Sequence, residues 1–174
     1  MAELFGDKTR FAAEVGEFSD DSTQLRRVDL WAAGRWLTCD DNTAYVPQFC
    51  MSVQDTVNWL QSGCDLSLPL PGLSPVETHR RLLDIDDGSR EQFWFPRWGP
   101  TTDNVTAHVF RVADRLVIPF EFWRPLHPRP EELGQVFVAE LPESELVNVL
   151  EKMLAALDCN PNAEQGATTD RPRD

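Results

Sequence analysis

Residues 11–34 read FAAEVGEFSDDSTQLRRVDLWAAG, and this stretch decides the fold. Its first eight residues partly alternate apolar and polar side chains, which predicts a strand that ends at the polar turn SDDS. In the second half Val28, Leu30 and Ala32 fall on one face of a strand, whereas Trp31 falls on the other. The closing glycine permits a tight turn into a further short strand. The pattern therefore predicts an antiparallel meander with one buried face.

Three helices are predicted downstream of the meander. Ser52 is placed to cap the first helix, and Gly63 ends it. Ser74 caps the second, with Pro75 at the first helical position and Glu77 completing a capping box. The third helix opens at a proline near the C-terminus. Its apolar residues repeat at the spacing of one helical face: Leu146, Val149, Leu150, Met153, Leu154 and Leu157.

Further strands are predicted between the second and third helices. Residues 105–112 and 116–123 are rich in strand-forming residues and flank a short polar turn, which indicates a hairpin, and residues 135–140 form another strand. The aromatic stretch 93–98 contains a proline, which favours an edge strand or an ordered loop. Strands and helices do not alternate regularly. We therefore expect an α+β fold, with a mostly antiparallel sheet and about three helices packed on one face.

The length of 174 residues fits one domain, which we place at residues 1–159. Residues 160–174 contain no large apolar side chain and are predicted to form a disordered, acidic and polar tail. No apolar run is long enough to cross a bilayer, and the N-terminus lacks the pattern of a secretory signal. These features predict a cytoplasmic protein.

The net charge of −13 limits the class of partner. Nucleic acids and anionic membranes bind through Lys and Arg side chains, so neither is an expected partner. An acidic surface attracts a basic protein and speeds their encounter, although the same charge also keeps an ordinary protein soluble. The charge is uneven: residues 1–65 hold 11 acids and 5 bases, residues 66–125 hold 8 and 7, and residues 126–174 hold 10 and 4.

No local motif indicates catalysis or a cofactor. The four cysteines, at 39, 50, 64 and 159, have neither zinc-finger nor disulfide-scaffold spacing, so we expect them to be reduced and near the core. The three histidines, at 79, 108 and 127, form no local pair, and a metal site would need ligands from distant segments. The acidic run from Asp84 fails the calcium-loop pattern at its sixth and twelfth positions. We predict no catalytic residues, no metal site and no cofactor.

Acidic turns and tryptophans near strand ends are the candidate contacts with a protein partner. Clustered carboxylates suit basic side chains across an interface, and tryptophan is enriched at interface hot spots. Trp31, Trp94 and Trp98 are predicted to be exposed, whereas Trp36, Trp59 and Trp123 are assigned to packing. The candidate set is Asp20, Asp21, Asp40, Asp41, Asp84, Asp86, Asp87, Trp31, Trp94 and Trp98.

Several segments resemble immunity protein 42, a family of bacterial polymorphic toxin systems. Residues 4–15 are similar to the family's opening motif and first strand, and residues 28–34 are similar to its aliphatic–Trp–x–x–Gly strand end. The likeness continues more loosely through residues 45–60. Residues 115–120, and then 138–142 with the helix that follows, are similar to the closing pattern.

The resemblance implies an immunity protein that binds a cognate secreted toxin domain in the cytoplasm and blocks it, without catalytic residues of its own. A nuclease toxin presents a basic cleft, which an acidic inhibitor would fill. Two alternatives stay open. One is an adaptor or chaperone that loads a secreted effector, and the other is a small enzyme whose acids and histidines come from distant segments.

Overall fold

A five-stranded antiparallel sheet forms the N-terminal part of the computed structural model, which describes residues 1–159. The strands run in the order β1-β2-β3-β4, and β5 pairs with the first half of β3. The predicted tail, residues 160–174, lies outside the described residues. The strand bounds are β1 Glu3–Asp7, β2 Phe11–Ser19, β3 Ser22–Ala32, β4 Arg35–Trp36 and β5 Thr43–Tyr45.

The predicted meander is confirmed in the register of β2 and β3. Phe11 lies opposite Ala32, and Ala13 lies opposite Leu30, and all four side chains are buried. Because side chains alternate along a strand, this register sends one apolar row of each strand into the core. At the strand end Gly34 adopts a positive φ of 73°, which allows the tight turn into β4.

Two helices cover the core side of this sheet. Helix α1, Val46–Gln61, packs against β3 and α3, and α3, Glu143–Ala156, packs against β1 and β2. Cys50 of α1 and Cys159, just beyond α3, are joined by a disulfide. The expectation that all four cysteines are reduced is therefore wrong for this pair. Their separation of 109 residues gives no sequence signal that the two helices bring them together.

A second antiparallel sheet follows, built around a long central strand. Its strands are β6 Val105–Ala107, β7 Phe110–Val112, β8 Arg115–Phe122 and β9 Phe137–Leu141. Strands β6 and β7 pair with successive halves of β8, and β9 pairs along its other edge. Helix α2, Pro75–Leu83, packs against β8. The α+β class is confirmed, with the strands divided between two sheets.

Aromatic side chains join the two sheets into one hydrophobic core. Phe95 lies between them, with its ring 6.0 Å from that of Phe11 and 5.6 Å from that of Trp98. Trp98 in turn lies edge-on to Phe49 of α1 and donates its indole hydrogen to Thr56 Oγ1 at 2.9 Å. The assignment of residues 1–159 to one domain stays a prediction.

Three short 3-10 helices, Ser89–Phe93, Pro100–Thr102 and Pro130–Glu132, lie in the connections. Residues 93–95 run beside β6 and β7: Val109 N–H donates to the Phe93 carbonyl, and Phe95 N–H donates to the Ala107 carbonyl. The aromatic stretch is thus an ordered segment at the sheet edge, as its proline indicated. This segment and the neighbouring loops form one wall of an open groove.

Candidate functional site

An open groove of about 690 Å³ lies beside the second sheet. The lining includes three arginines and two tryptophans, against one aspartate. All of these residues lie within the near-neutral middle third of the chain. Arg97 is paired with Glu91 at 2.6 Å and Arg124 with Asp40 at 3.7 Å, so Arg90 is the groove arginine without an ion pair among the described residues. The residues of this arginine–tryptophan groove that matter below are Leu83, Arg90, Trp94, Arg97, Asp103, His108, Trp123 and Arg124.

The arginines of the groove lie against the tryptophan rings. The guanidinium carbons of Arg90 and Arg97 lie 5.3 and 4.8 Å from the centroid of the Trp94 ring, and that of Arg124 lies 5.6 Å from the Trp123 ring. Such cation–π contacts hold long side chains in place, and Arg97 also donates a hydrogen bond to Glu91 Oε2 at 2.6 Å. The groove thus presents preoriented cations and flat apolar surfaces, a combination that binds acidic side chains or other anions.

Part of the predicted contact set borders this groove. Trp94 lines it, and the loop that carries Asp84, Asp86 and Asp87 is bounded in the chain by Leu83 and Arg90, which both line it. Asp40 lies 3.7 Å from Arg124 in an ion pair. Asp40 therefore contacts a groove residue directly, whereas the 84–87 loop is linked to the groove through its neighbours in the chain.

Two of the predicted contact carboxylates accept hydrogen bonds within their own loops. Asp41 accepts a hydrogen bond from the Thr43 amide, and Asp87 accepts one from the Ser89 amide, each at 2.9 Å. Hydrogen bonds with Ser89 lower the pKa of Asp87, so this exposed carboxylate stays ionised. These turns fix the shape of their loops.

The other predicted contacts lie elsewhere. Asp20 and Asp21 form the exposed turn between β2 and β3. Trp31 lies on the outer face of the first sheet, where its half-buried ring stacks on Trp36 with centroids 6.0 Å apart. The Lys8 ammonium sits 4.3 Å from the Trp31 centroid. The ten predicted residues thus do not form a single cluster around the groove.

Three tryptophan predictions are corrected by the structure. Trp98 was expected to be exposed, but it is 1% exposed and belongs to the core. Trp36 and Trp123 were assigned to packing, yet they are 37% and 54% exposed. Trp98 follows a proline in an irregular segment, where no alternation indicates which way a side chain points. Trp36 and Trp123 lie at or just beyond strand ends, where neighbouring strands no longer cover them.

Two buried histidines lie under the groove floor. His79 Nδ1 and His108 Nδ1 are 2.8 Å apart, so one ring donates the hydrogen and the other accepts it. Burial lowers the pKa of His79 to about 4, and the charge of Arg80 adds to this effect. Burial also lowers the pKa of His108 to about 3, with smaller contributions from His79 and Arg90. Both rings are neutral at pH 7.

A second polar cluster combines a thiol, an imidazole and two carboxylates. Cys39 Sγ lies 3.5 Å from His127 Nδ1 and 3.9 Å from Asp40 Oδ1. His127 Nε2 lies 3.0 Å from Glu132 Oε2, and both side chains are buried. Sequence reasoning missed this cluster because Cys39 and His127 are 88 residues apart. The only sequence signal was the presence of these residue types.

The order thiol, imidazole, carboxylate also occurs in cysteine hydrolases, where a base activates the nucleophile. Cys39 lacks the electrostatic setting for that role. Burial and, to a smaller extent, the adjacent Asp40 carboxylate raise the pKa of the Cys39 thiol to about 11. A reactive cysteine needs a stabilised thiolate, which a neighbouring negative charge opposes. The cluster is better suited to hold a cation.

Comparison with solved structures finds a protein with a similar fold. The crystal structure of CdiI from Burkholderia dolosa AUO158 matches with a TM-score of 0.62, covering 88% of this chain and 99% of that chain. The two sequences are 11% identical, so the likeness shows a shared fold. No protein-family model matches the sequence, and no curated protein is significantly similar. The resemblance to immunity protein 42 therefore stays a prediction.

Within residues 1–159, every helix is too short or too polar to span a lipid bilayer.

Proposed function

We propose that this chain is an immunity protein that binds a cognate bacterial toxin domain and neutralises it. The observation that carries the proposal is the fold shared with CdiI, an immunity protein of contact-dependent inhibition, over nearly the full length of both chains. The resemblance of residues 4–15 and 28–34 to immunity protein 42 supports the same function independently of the coordinates. In this proposal the protein works in the cytoplasm by binding and is not an enzyme.

The arginine–tryptophan groove is the proposed contact surface for the toxin. Arginine and tryptophan are the residue types most enriched among interface hot spots, because they bury large areas and make several polar contacts. Trp94 and Trp123 supply such areas, and Arg90 supplies a forked donor. The exposed carboxylates of the 84–87 loop would meet basic side chains of the toxin beside the groove.

Charge complementarity gives the expected character of the toxin surface. The groove offers the cation of Arg90, and the acidic 84–87 loop directly precedes it in the chain, so the proposed partner surface has an acidic or otherwise anionic group within a basic surround. A basic surround is typical of toxins that act on nucleic acids, whose substrate clefts bind phosphates. Asp20, Asp21 and Trp31 are proposed as secondary contacts, because they lie away from the groove.

Co-expression with the toxin domain encoded beside the gene tests this proposal. Cells that make the toxin domain alone should stop growing, and cells that also make this chain should grow normally. An adaptor or chaperone would bind its effector and leave the effector's activity intact, so growth separates the two functions. Continued growth arrest, with the chain folded and present in excess, would contradict the proposed immunity function.

A further inference from the structure

The cluster of Cys39, Asp40 and His127 has the ligand types of a transition-metal site. A thiolate, an imidazole nitrogen and a carboxylate are all zinc ligands in proteins. The three ligand atoms lie within 4.8 Å of one another, although they come from two loops that are distant in sequence. Cys39 and Asp40 follow β4, and His127 follows β8.

Two of the three spacings between ligand atoms are close to those of zinc coordination. With Zn–S about 2.3 Å and Zn–N about 2.05 Å, a tetrahedral angle places the sulfur and the nitrogen about 3.6 Å apart. The observed distance from Cys39 Sγ to His127 Nδ1 is 3.5 Å. The same calculation gives about 3.6 Å between sulfur and a carboxylate oxygen. Asp40 Oδ1 lies 3.9 Å from the sulfur, so only a small side-chain rotation is needed.

The surroundings of His127 orient it as a metal ligand. Its ring stacks on Phe122 with centroids 4.1 Å apart, and Nε2 is hydrogen-bonded to the Glu132 carboxylate. Glu132 is held by Arg35 at 3.0 Å and by Arg129 at 3.3 Å. An ionised carboxylate accepts hydrogen bonds, so Nε2 carries the hydrogen and the lone pair of Nδ1 faces Cys39. Metal-bound histidines have this carboxylate partner in many proteins.

A residue outside the cluster, Asn104, also contacts the Cys39 sulfur. The buried side chain of Asn104 donates a hydrogen bond to Cys39 Sγ at 3.5 Å and another to the Leu37 carbonyl at 2.9 Å. A donor to sulfur stabilises a metal-bound thiolate. Two negative ligands, Cys39 and Asp40, would neutralise a divalent cation. The Asp40 carboxylate destabilises a free Cys39 thiolate. When a cation lies between the two groups, both negative charges stabilise the bound cation.

We propose that Cys39, Asp40 and His127 bind one zinc ion or a similar divalent transition metal, with Glu132 positioning the imidazole. Three protein ligands leave a fourth tetrahedral position for water. The ion would tie the loop after β4 to the loop after β8. Because Asp40 also contacts Arg124, the site adjoins the arginine–tryptophan groove. The proposal does not depend on the immunity function, since it rests on the ligand geometry alone.

Titration of the metal-free, full-length protein with Co²⁺ tests the site. Cobalt reports thiolate ligation through a charge-transfer absorption band and tetrahedral geometry through its visible bands. We expect one equivalent to bind, with a thiolate band that zinc then removes by displacement. Cys39→Ser should abolish the band. Cys64→Ser is the matched control, because Cys64 is the second free cysteine and lies outside the cluster.

Two further measurements distinguish the loss of a metal ligand from the loss of the fold. Glu132→Gln keeps all three ligands and should weaken zinc binding about 10- to 100-fold, because the imidazole loses its anionic partner. Added Zn²⁺ should raise the thermal unfolding midpoint of the wild type and of Cys64→Ser, but not that of Cys39→Ser. The proposal is overturned if the wild type gives no thiolate band, or if Cys39→Ser keeps it.

Discussion

The histidine pair under the groove makes the fold sensitive to acid. His79 and His108 share one hydrogen between their Nδ1 atoms, and each ring is almost fully buried. A proton added to the accepting Nδ1 would break this hydrogen bond, and a proton on either ring would place a charge near Arg80 and Arg90, whose charges already oppose it. The native protein therefore resists protonation at both positions, whereas the unfolded chain does not.

Stability should fall as the pH drops below the usual histidine pKa of about 6.5. Both folded-state pKa values are lowered, so the stability is complete above that pH and is lost as the unfolded chain takes up protons below it. Each histidine contributes a slope of at most about 1.4 kcal/mol per pH unit. Urea unfolding between about pH 7 and pH 5 measures this slope.

His79→Gln is the variant for that measurement, because it removes one titrating ring and keeps a polar side chain of similar reach. The slope should fall by about half, since one of the two histidines no longer takes up a proton on unfolding. A free energy of unfolding that does not change over this pH range in the wild type would show that the pair is already protonated in the native state.

At the residue scale, sequence reasoning succeeded where a side chain sits in a long strand with clear alternation. Trp31 was placed on the outer face of its strand by alternation, and it stacks there on Trp36. Trp98 was misplaced because its segment has no period, and its burial depends on contacts with Phe49 and Phe95 from other parts of the chain. The direction in which such a side chain points depends on tertiary contacts, which local sequence does not show.

Among the helices, local signals decided which starts were predicted correctly. The α2 capping box is present as predicted, with Ser74 and Glu77 each bonded to the other's backbone. Helix α1 begins at Val46 instead of near Ser52, and no side chain caps it. Ser52 lies inside α1, where its hydroxyl accepts a hydrogen bond from Gln48. A serine satisfied within a helix has the same sequence appearance as a cap.

Strands at the sheet edges were the least visible elements. β1 was not predicted, because its five residues include four exposed side chains and a glycine with a φ of 86°. β5 was not predicted either, since three residues are too short to show alternation. Both pair with strands that the sequence does indicate, so their positions are determined by the partners.

The disulfide between α1 and the end of α3 should add measurable stability. Cys50 and Cys159 close a loop of 109 residues, and chain-entropy estimates for loops of this size approach about 5 kcal/mol. We expect a reductant to lower the free energy of unfolding by about 2–5 kcal/mol. Denaturant titration with and without reductant measures the loss.

The double variant Cys50→Ala/Cys159→Ala is the control, and the reductant should leave its stability unchanged. Alkylation of the unfolded, unreduced wild type should label Cys39 and Cys64 only. Labelling of all four cysteines in protein that was purified under oxidising conditions would contradict the bond. The cytoplasmic location that we propose would keep these thiols reduced, so the bond would form after exposure to oxidant.

For the whole molecule, composition and pattern predicted the fold class, and the site required the structure. Alternation and helical periodicity were enough for an α+β fold. The groove was not predictable, because Arg90, Trp94 and Trp123 converge only through the pairing of the second sheet. Net charge alone indicated an acidic surface, whereas the fold concentrates arginines from the near-neutral middle third in one place.

The immunity proposal requires that the toxin domain bind this groove, and calorimetric titration of the purified chain into that domain measures the binding directly. Trp94→Ala should weaken the affinity about 30-fold or more, the loss of roughly 2 kcal/mol expected for a hot-spot tryptophan. Val112→Ala is the control, because this exposed apolar side chain belongs neither to the groove nor to the secondary contacts, and the affinity of this variant should stay within about threefold of the wild type. Equal affinities of the wild type and Trp94→Ala, or no binding by the wild type, would contradict the account.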